Sequence, residues 1–137
     1  RASFPIHMII EEAHRYVKND NDIEIIGYNI FDRITKEGRK YGIILGLITQ
    51  RPSELSTTSI SQCSNFIVLK LYYPDDLELI KKITANISEN MINKVKTLRP
   101  GMALCFGNAF KVPLVASLGL PDPMPESTSV NLVDTWF

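Results

Sequence analysis

Pro5-Ile6-His7-Met8-Ile9-Ile10-Glu11-Glu12 is the stretch on which the rest of the chain is read. A short, Ile-rich apolar run stops at two adjacent carboxylates. Runs of this length fit a strand buried on both faces of a parallel sheet. In open α/β sheets, ligands lie outside the carboxyl ends of the strands, which is where Glu11 and Glu12 would stand. Successive strand residues point to opposite sides, so the two acids would face different partners. One could hold Mg²⁺, directly or through water, and the other could polarise a water for attack on a phosphate. The structural alternative is a strand running into a helix, with acids favourably placed at the helix N-terminus. This stretch alone leaves both readings open.

Working outward, Ala13–Lys18 reads as one short helix and Asn19-Asp20-Asn21-Asp22 as a polar loop. Ile26, Ile30, Ile34 and Tyr41 fall at helical spacing, which predicts a helix over 24–41 with Gly42 as its C-cap. Ile43–Ile48 is a second continuous apolar run, and it too ends in polar residues, Thr49-Gln50-Arg51-Pro52. Pro52-Ser53-Glu54 suits a helix start, and that helix should reach about Gln62. Asn65–Leu71 predicts a third strand. A helix from Tyr73-Pro74-Asp75-Asp76 to about Ile87 follows, with Leu77, Ile80, Ile83 and Ile87 on one face, then a second over 88–96. After the turn Arg99-Pro100-Gly101, residues 102–106 and 112–116 read as an edge hairpin around Gly107-Asn108. The order β-α-β-α-β-α-α-β-β predicts an α/β layered sheet, mostly of parallel strands, with flanking helices. The expected division is a domain over 1–120 and an extended Pro-rich tail over 121–137. The tail ends in Trp136-Phe137, a pair that fits either docking on another surface or simple disorder.

The 137 residues suit one domain, and 45% hydrophobic content allows a sizeable core. Net charge is zero, so nothing global advertises nucleic acid and a DNA-binding reading must rest on local features. The two cysteines, Cys63 and Cys105, lack metal-ligand spacing and read as reduced packing residues of a cytoplasmic protein. No apolar run approaches the roughly 18 residues that cross a membrane. No signal peptide is readable, because Arg1-Ala2-Ser3 leads at once into a core-type strand. A chain opening this way reads as the latter part of a larger domain.

If the first two strands are adjacent and parallel, Glu11, Glu12, Gln50 and Arg51 converge. Gln50, neutral and able both to donate and to accept, could sense a phosphate or orient a water, or could be a buried amide satisfied by backbone. Arg33 and the run Lys36-Glu37-Gly38-Arg39-Lys40 offer guanidinium groups suited to phosphate. They equally suit a solvated helix end whose cations answer the macrodipole. His7 and His14 have no Cys or second His at ligand spacing. No G-x-x-x-x-G-K-[ST] occurs in the 137 residues, so the phosphate cradle of a P-loop enzyme is missing from this sequence.

Taken together, these blocks resemble a family. Ile9-Ile10-Glu11-Glu12-Ala13-His14-Arg15 resembles the Walker B segment of HerA-type DNA translocases, in the HerA/FtsK branch of RecA-like motor ATPases. Glu37-Gly38-Arg39-Lys40-Tyr41-Gly42, the second apolar strand and Thr49-Gln50-Arg51-Pro52-Ser53-Glu54-Leu55 are similar to the family's next block. Ile60–Asn65, the third strand, Tyr73-Pro74-Asp75-Asp76, and Leu98–Leu104 with Phe106-Gly107 continue it in order, so the likeness covers about 5–118. The resemblance implies a hexameric ring that binds ATP and Mg²⁺ between subunits and moves double-stranded DNA, often with a partner nuclease or other effector. By position it makes Glu12 the catalytic acid, Glu11 the Mg²⁺-side acid, Gln50 the sensor, and Arg39, then Arg33 or Arg51, phosphate-facing arginines. The family's P-loop and N-terminal barrel are absent here. The expectation is therefore a C-terminal piece of the motor, inactive by itself, which associates through an exposed sheet edge. The alternative is a non-enzymatic ring-assembly or partner-binding module derived from an ATPase.

Overall fold

The computed structural model describes residues 4–18, 30–84 and 87–125. The end of the tail, Trp136-Phe137, the polar loop expected at 19–22 and the first part of the helix expected over 24–41 lie outside them.

The two apolar runs form a parallel pair. Strand β1 (Ile6–Ile10) lies beside β2 (Ile43–Leu47), with Ile6 opposite Ile43 and Ile10 opposite Leu47. Helix α1 (Ile30–Glu37) is followed by a 3-10 turn, Gly38–Tyr41. Gly42 closes that turn in the left-handed region, φ 74°, where a side chain would be strained. The helix expected over 52–62 is broken in two. A 3-10 turn (Pro52–Glu54) precedes α2 (Thr57–Gln62), because Ser56 takes the N-cap and its hydroxyl accepts from the N–H of Ser59. The helix expected over 13–18 is a single 3-10 turn, Ala13–Arg15.

The remaining strands make a separate antiparallel sheet. Its order is β3 (Asn65–Val68), β4 (Met102–Gly107), β5 (Leu114–Ser117). The α/β class and the C-terminal hairpin are as expected, but the strands are not mostly parallel: among the described residues parallel pairing is confined to β1 and β2. Helix α3 (Pro74–Ile83) starts at a proline with Asp75 and Asp76 in its first turn. It stops at Ile83, short of the expected Ile87. Helix α4 (Glu89–Lys96) is N-capped by Ser88, which accepts from the N–H of Met91.

Two apolar clusters hold these pieces. Val68, Leu77, Ile80, Ile92, Val95, Leu104 and Phe106 form one, between the antiparallel sheet and α3 and α4. Ala13, Val17, Leu55 and Ile60 form the other, with Ile10, Leu47 and Phe31 against it. Phe66 and Ile83 touch both clusters, which joins the two sheets through a common helical layer. Phe66 also stacks on Phe106 with ring centroids 4.9 Å apart. The parallel pair is covered on one face only: Ile9 is 70% exposed and Ile44 52%. The expectation of burial on both faces fails there, because no described element lies over that side. No helix among the described residues is long and apolar enough to cross a membrane.

Candidate active site

The acids stand where the parallel pair ends, for a reason visible in the backbone. The N–H of Ile48 donates to the carbonyl of Ile10, and the carbonyl of Ile48 accepts from the N–H of Ala13, both at 2.9 Å. One residue of the second strand thus grips two residues of the first, and Glu11-Glu12 between them is pushed out as a turn. Glu12 pivots that turn in the left-handed region, at φ 49° and ψ 41°. For a residue with a Cβ this conformation costs roughly 1–2 kcal/mol. The acids are therefore not set to opposite sides by strand alternation, as their spacing had predicted. They are presented by a bulge-like turn.

What holds Glu12 comes mainly from the second strand. The Gln50 amide Nε2 donates to Glu12 Oε1 at 3.0 Å. His14 Nδ1 lies 3.5 Å from Glu12 Oε2 and 3.0 Å from Thr49 Oγ1. The N–H of Arg51 donates to the same Thr49 hydroxyl at 3.0 Å. Glu12 keeps 43% of its side chain exposed while His14 keeps 15%, so the carboxylate is half open to solvent above a nearly covered imidazole. Glu11, beside it, is exposed. Further stitches fix the loops. The N–H of Ser56 donates to the carbonyl of Val17 at 2.7 Å, and the N–H of Ser53 to Asp76 Oδ1 at 2.9 Å.

The arginines are distributed differently. Arg51 adjoins the site, and its Nη1 donates to Glu54 Oε1 at 2.8 Å. That hydrogen bond and charge raise the Arg51 pKa and hold the Glu54 carboxyl below its usual range. Arg33 lies on α1 with Nε 3.8 Å from Glu37 Oε2. Arg39 is exposed in the 3-10 turn before β2. Strand direction puts it at the amino end of the pair, roughly 16 Å of strand away from the acids at about 3.3 Å per residue. The structure brings together Glu12, Gln50, Thr49 and His14, with Arg51 and Glu11 at the rim, and leaves Arg33 and Arg39 outside that group.

Sequence reasoning missed Thr49 as a bridging hydroxyl and Asp32 as an anchor. Asp32 Oδ1 accepts from the Ser56 and Ser59 hydroxyls at 2.7 and 2.6 Å, pinning α1 to the start of α2. The Ser-x-x-Ser spacing at the helix start was the available signal. Cys63 is half-buried, and burial pushes its thiol pKa up, away from the reactive range.

Among the described residues no three His, Cys, Asp or Glu side chains are grouped so as to cage a metal. Mg²⁺ ordinarily keeps several waters and takes only one or two carboxylates together with substrate phosphates. An exposed Glu11 beside an exposed turn suits that mode.

The chain is similar to known proteins. A probable helicase of Methanocaldococcus jannaschii is 36% identical over 132 residues, 96% of this chain and 25% of that protein. The DNA double-strand break repair helicase HerA of Sulfolobus acidocaldarius is 31% identical over 133 residues, 97% of this chain and 26% of that protein. This chain is HerA-like. It spans about a quarter of the length of these curated relatives. No protein-family model matches it. Among solved structures, the DNA-packaging ATPase B204 of Sulfolobus turreted icosahedral virus superposes with a TM-score of 0.65 at 26% identity, over 82% of the HerA-like chain and 51% of its own. The packaging NTPase B204 of Sulfolobus turreted icosahedral virus 2, in complex with AMPPCP, gives 0.66 at 25% identity, over 83% and 55%.

Proposed function

We propose that this HerA-like segment supplies the acid and the sensor of an ATP-driven, double-stranded-DNA translocase or helicase that works as a ring. The observation that carries the reading is the 3.0 Å hydrogen bond from Gln50 to Glu12 across the carboxyl ends of adjacent parallel strands. It joins the group best placed to take a proton to the group best placed to register a phosphate. Glu12 serves as the base toward an attacking water, its carboxylate oriented by Gln50 on Oε1 and left open to solvent. Glu11 would hold Mg²⁺, directly or through water, and the chemistry supplied there is charge neutralisation for phosphate oxygens. Gln50 ties the state of the second strand to the position of the base. Arg51 is committed to Glu54 and contributes positive field at the rim.

Arg39 lies too far from its own acids to share a phosphate with them, so its role toward ATP is across a subunit boundary, as a charge-stabilising arginine supplied in trans. Arg33, tied to Glu37 on α1, supports that basic end. The relatives' names motivate the DNA substrate, and the homo-oligomer follows from a site divided between the two ends of one chain. A partner nuclease or effector belongs to the same reading, as do a cytoplasmic location and the division into a motor segment over 1–120 and a C-terminal tail. The 137 residues alone carry no G-x-x-x-x-G-K-[ST] and should not turn over ATP.

The test is Glu12→Gln in the full-length protein. The amide keeps the shape but cannot accept the proton. ATP hydrolysis should fall at least ~100-fold, the lower end of the range for general base catalysis, with nucleotide binding retained. Normal turnover by that variant would remove Glu12 from the mechanism.

A further inference from the structure

His14 is the group around Glu12 that neither the resemblance nor the proposed mechanism uses. It sits on the 3-10 turn directly after the acids, and its imidazole is nearly covered. One nitrogen, Nδ1, faces two oxygens at once: Thr49 Oγ1 at 3.0 Å and Glu12 Oε2 at 3.5 Å. Thr49 Oγ1 already accepts from the Arg51 N–H at 3.0 Å. Glu12 Oε1 already accepts from Gln50 at 3.0 Å. Oε2 is therefore the half of the carboxylate with no donor from Gln50, and Nδ1 is the nearby group able to supply one. An unprotonated Nδ1 would set its lone pair against a carboxylate oxygen. The tautomer carrying hydrogen on Nδ1 serves both neighbours, with Thr49 as main acceptor.

We propose that His14 is a positioning residue for the Glu12 base, donating from Nδ1 to Thr49 and Glu12 and so locking the carboxylate's rotation to the end of the second strand. The proposal rests on the reading of Glu12 given above. His14 contacts Glu12 and Thr49. It acts by keeping a carboxylate carried on a strained turn from swinging toward solvent, and small misplacements of a reacting group can cost about 100-fold in rate.

The experiment is steady-state ATPase kinetics of full-length variants, with nucleotide binding measured alongside. His14→Ala should lower kcat at least ~10-fold with KM for ATP within about twofold, as expected when only orientation is lost. His14→Asn places its amide nitrogen near the former Nδ1 and should restore most of the rate. His14→Gln carries its amide one carbon further out and should not. Thr49→Val removes the shared acceptor at constant volume and should lower kcat in the same way, which keeps the test open should His14→Ala fail to fold. Normal kcat in His14→Ala or Thr49→Val, beside an inactive Glu12→Gln, overturns the positioning role and leaves the base assignment standing. Equal loss in the Asn and Gln variants also overturns it, since the imidazole would then only fill space. A fully active Glu12→Gln overturns both together.

Discussion

The two sheets of this chain are built to opposite standards. In the antiparallel sheet, β4 runs from Ala103 to Phe106 without a surface residue, and Leu104 is fully buried against Val95, Ile80 and their neighbours. In the parallel pair, β1 exposes three of its five residues, and its last turn holds Glu12 in a left-handed conformation. The first sheet gains stability from ordinary burial. The second gives up burial and backbone ease and gains presented carboxylates. Strain at a functional turn persists because surrounding contacts over-determine it, and here those contacts are Ile48, Gln50 and His14.

The contrast is sharpest in the core. Leu104→Ala should destabilise the protein by about 2–5 kcal/mol, the usual cost of a cavity at a buried leucine. Ile9→Ala, on the exposed face of the parallel pair, should change stability by less than about 0.5 kcal/mol in this chain. Chemical denaturation of both variants measures the difference, and equal losses would mean the two sheets share one core. Next comes Gly107, at φ 121°, where an added Cβ would run into the carbonyl of Ser64 and come within 2.7 Å of Asn65 Cα. Gly107→Ala should cost about 2–3 kcal/mol, from an incompatible backbone together with a forced shift of β3. A melting curve like that of the parent would show that the end of β4 can relax.

Glu12→Gly should act in the opposite direction. Removing Cβ from a left-handed position relieves roughly 1 kcal/mol, so a thermal melt should rise slightly while any activity needing the carboxylate disappears. A fall in stability would mean the Gln50 and His14 contacts outweigh the strain. The smallest effect concerns Arg51 and Glu54. Because Arg51 depresses the Glu54 pKa, the pair's contribution is present above the ordinary carboxylate range and is lost as pH falls through the lowered value. Both side chains face solvent, so salt should weaken the effect. Melting temperatures of parent and Glu54→Gln should differ slightly at neutral pH and converge in acid. A gap that persists in acid would assign the effect to packing.

Much of this was legible in the residues, for identifiable reasons. Two continuous apolar runs ending in polar clusters announced the parallel pair and the meeting of Glu12 with Gln50. The family resemblance groups Arg39 with the acids as phosphate-facing, and the structure sets it apart, because Arg39 precedes β2 while the acids follow a carboxyl end. The partner of β3 was not legible: a four-residue strand carries no mark of which edge it joins, and its register is set by β4, some 35 residues on. Nor was the Glu12 turn, which depends on Ile48 bonding two residues of another strand. The break before α2 was within reach, since Ser56 and Ser59 form a cap, but Pro52-Ser53-Glu54 offered an equally good start.

The position of Arg39 at one end of β2 and of Gln50 at the other gives the segment a direction. A unit whose two ends are chemically different gains nothing from two-fold pairing through either end, which sets arginine against arginine or acid against acid. Head-to-tail contact sets arginine against acid at every junction, and such contacts repeat until they close or run on. The polarity of any head-to-tail assembly would thus be written in the order of residues along one short strand.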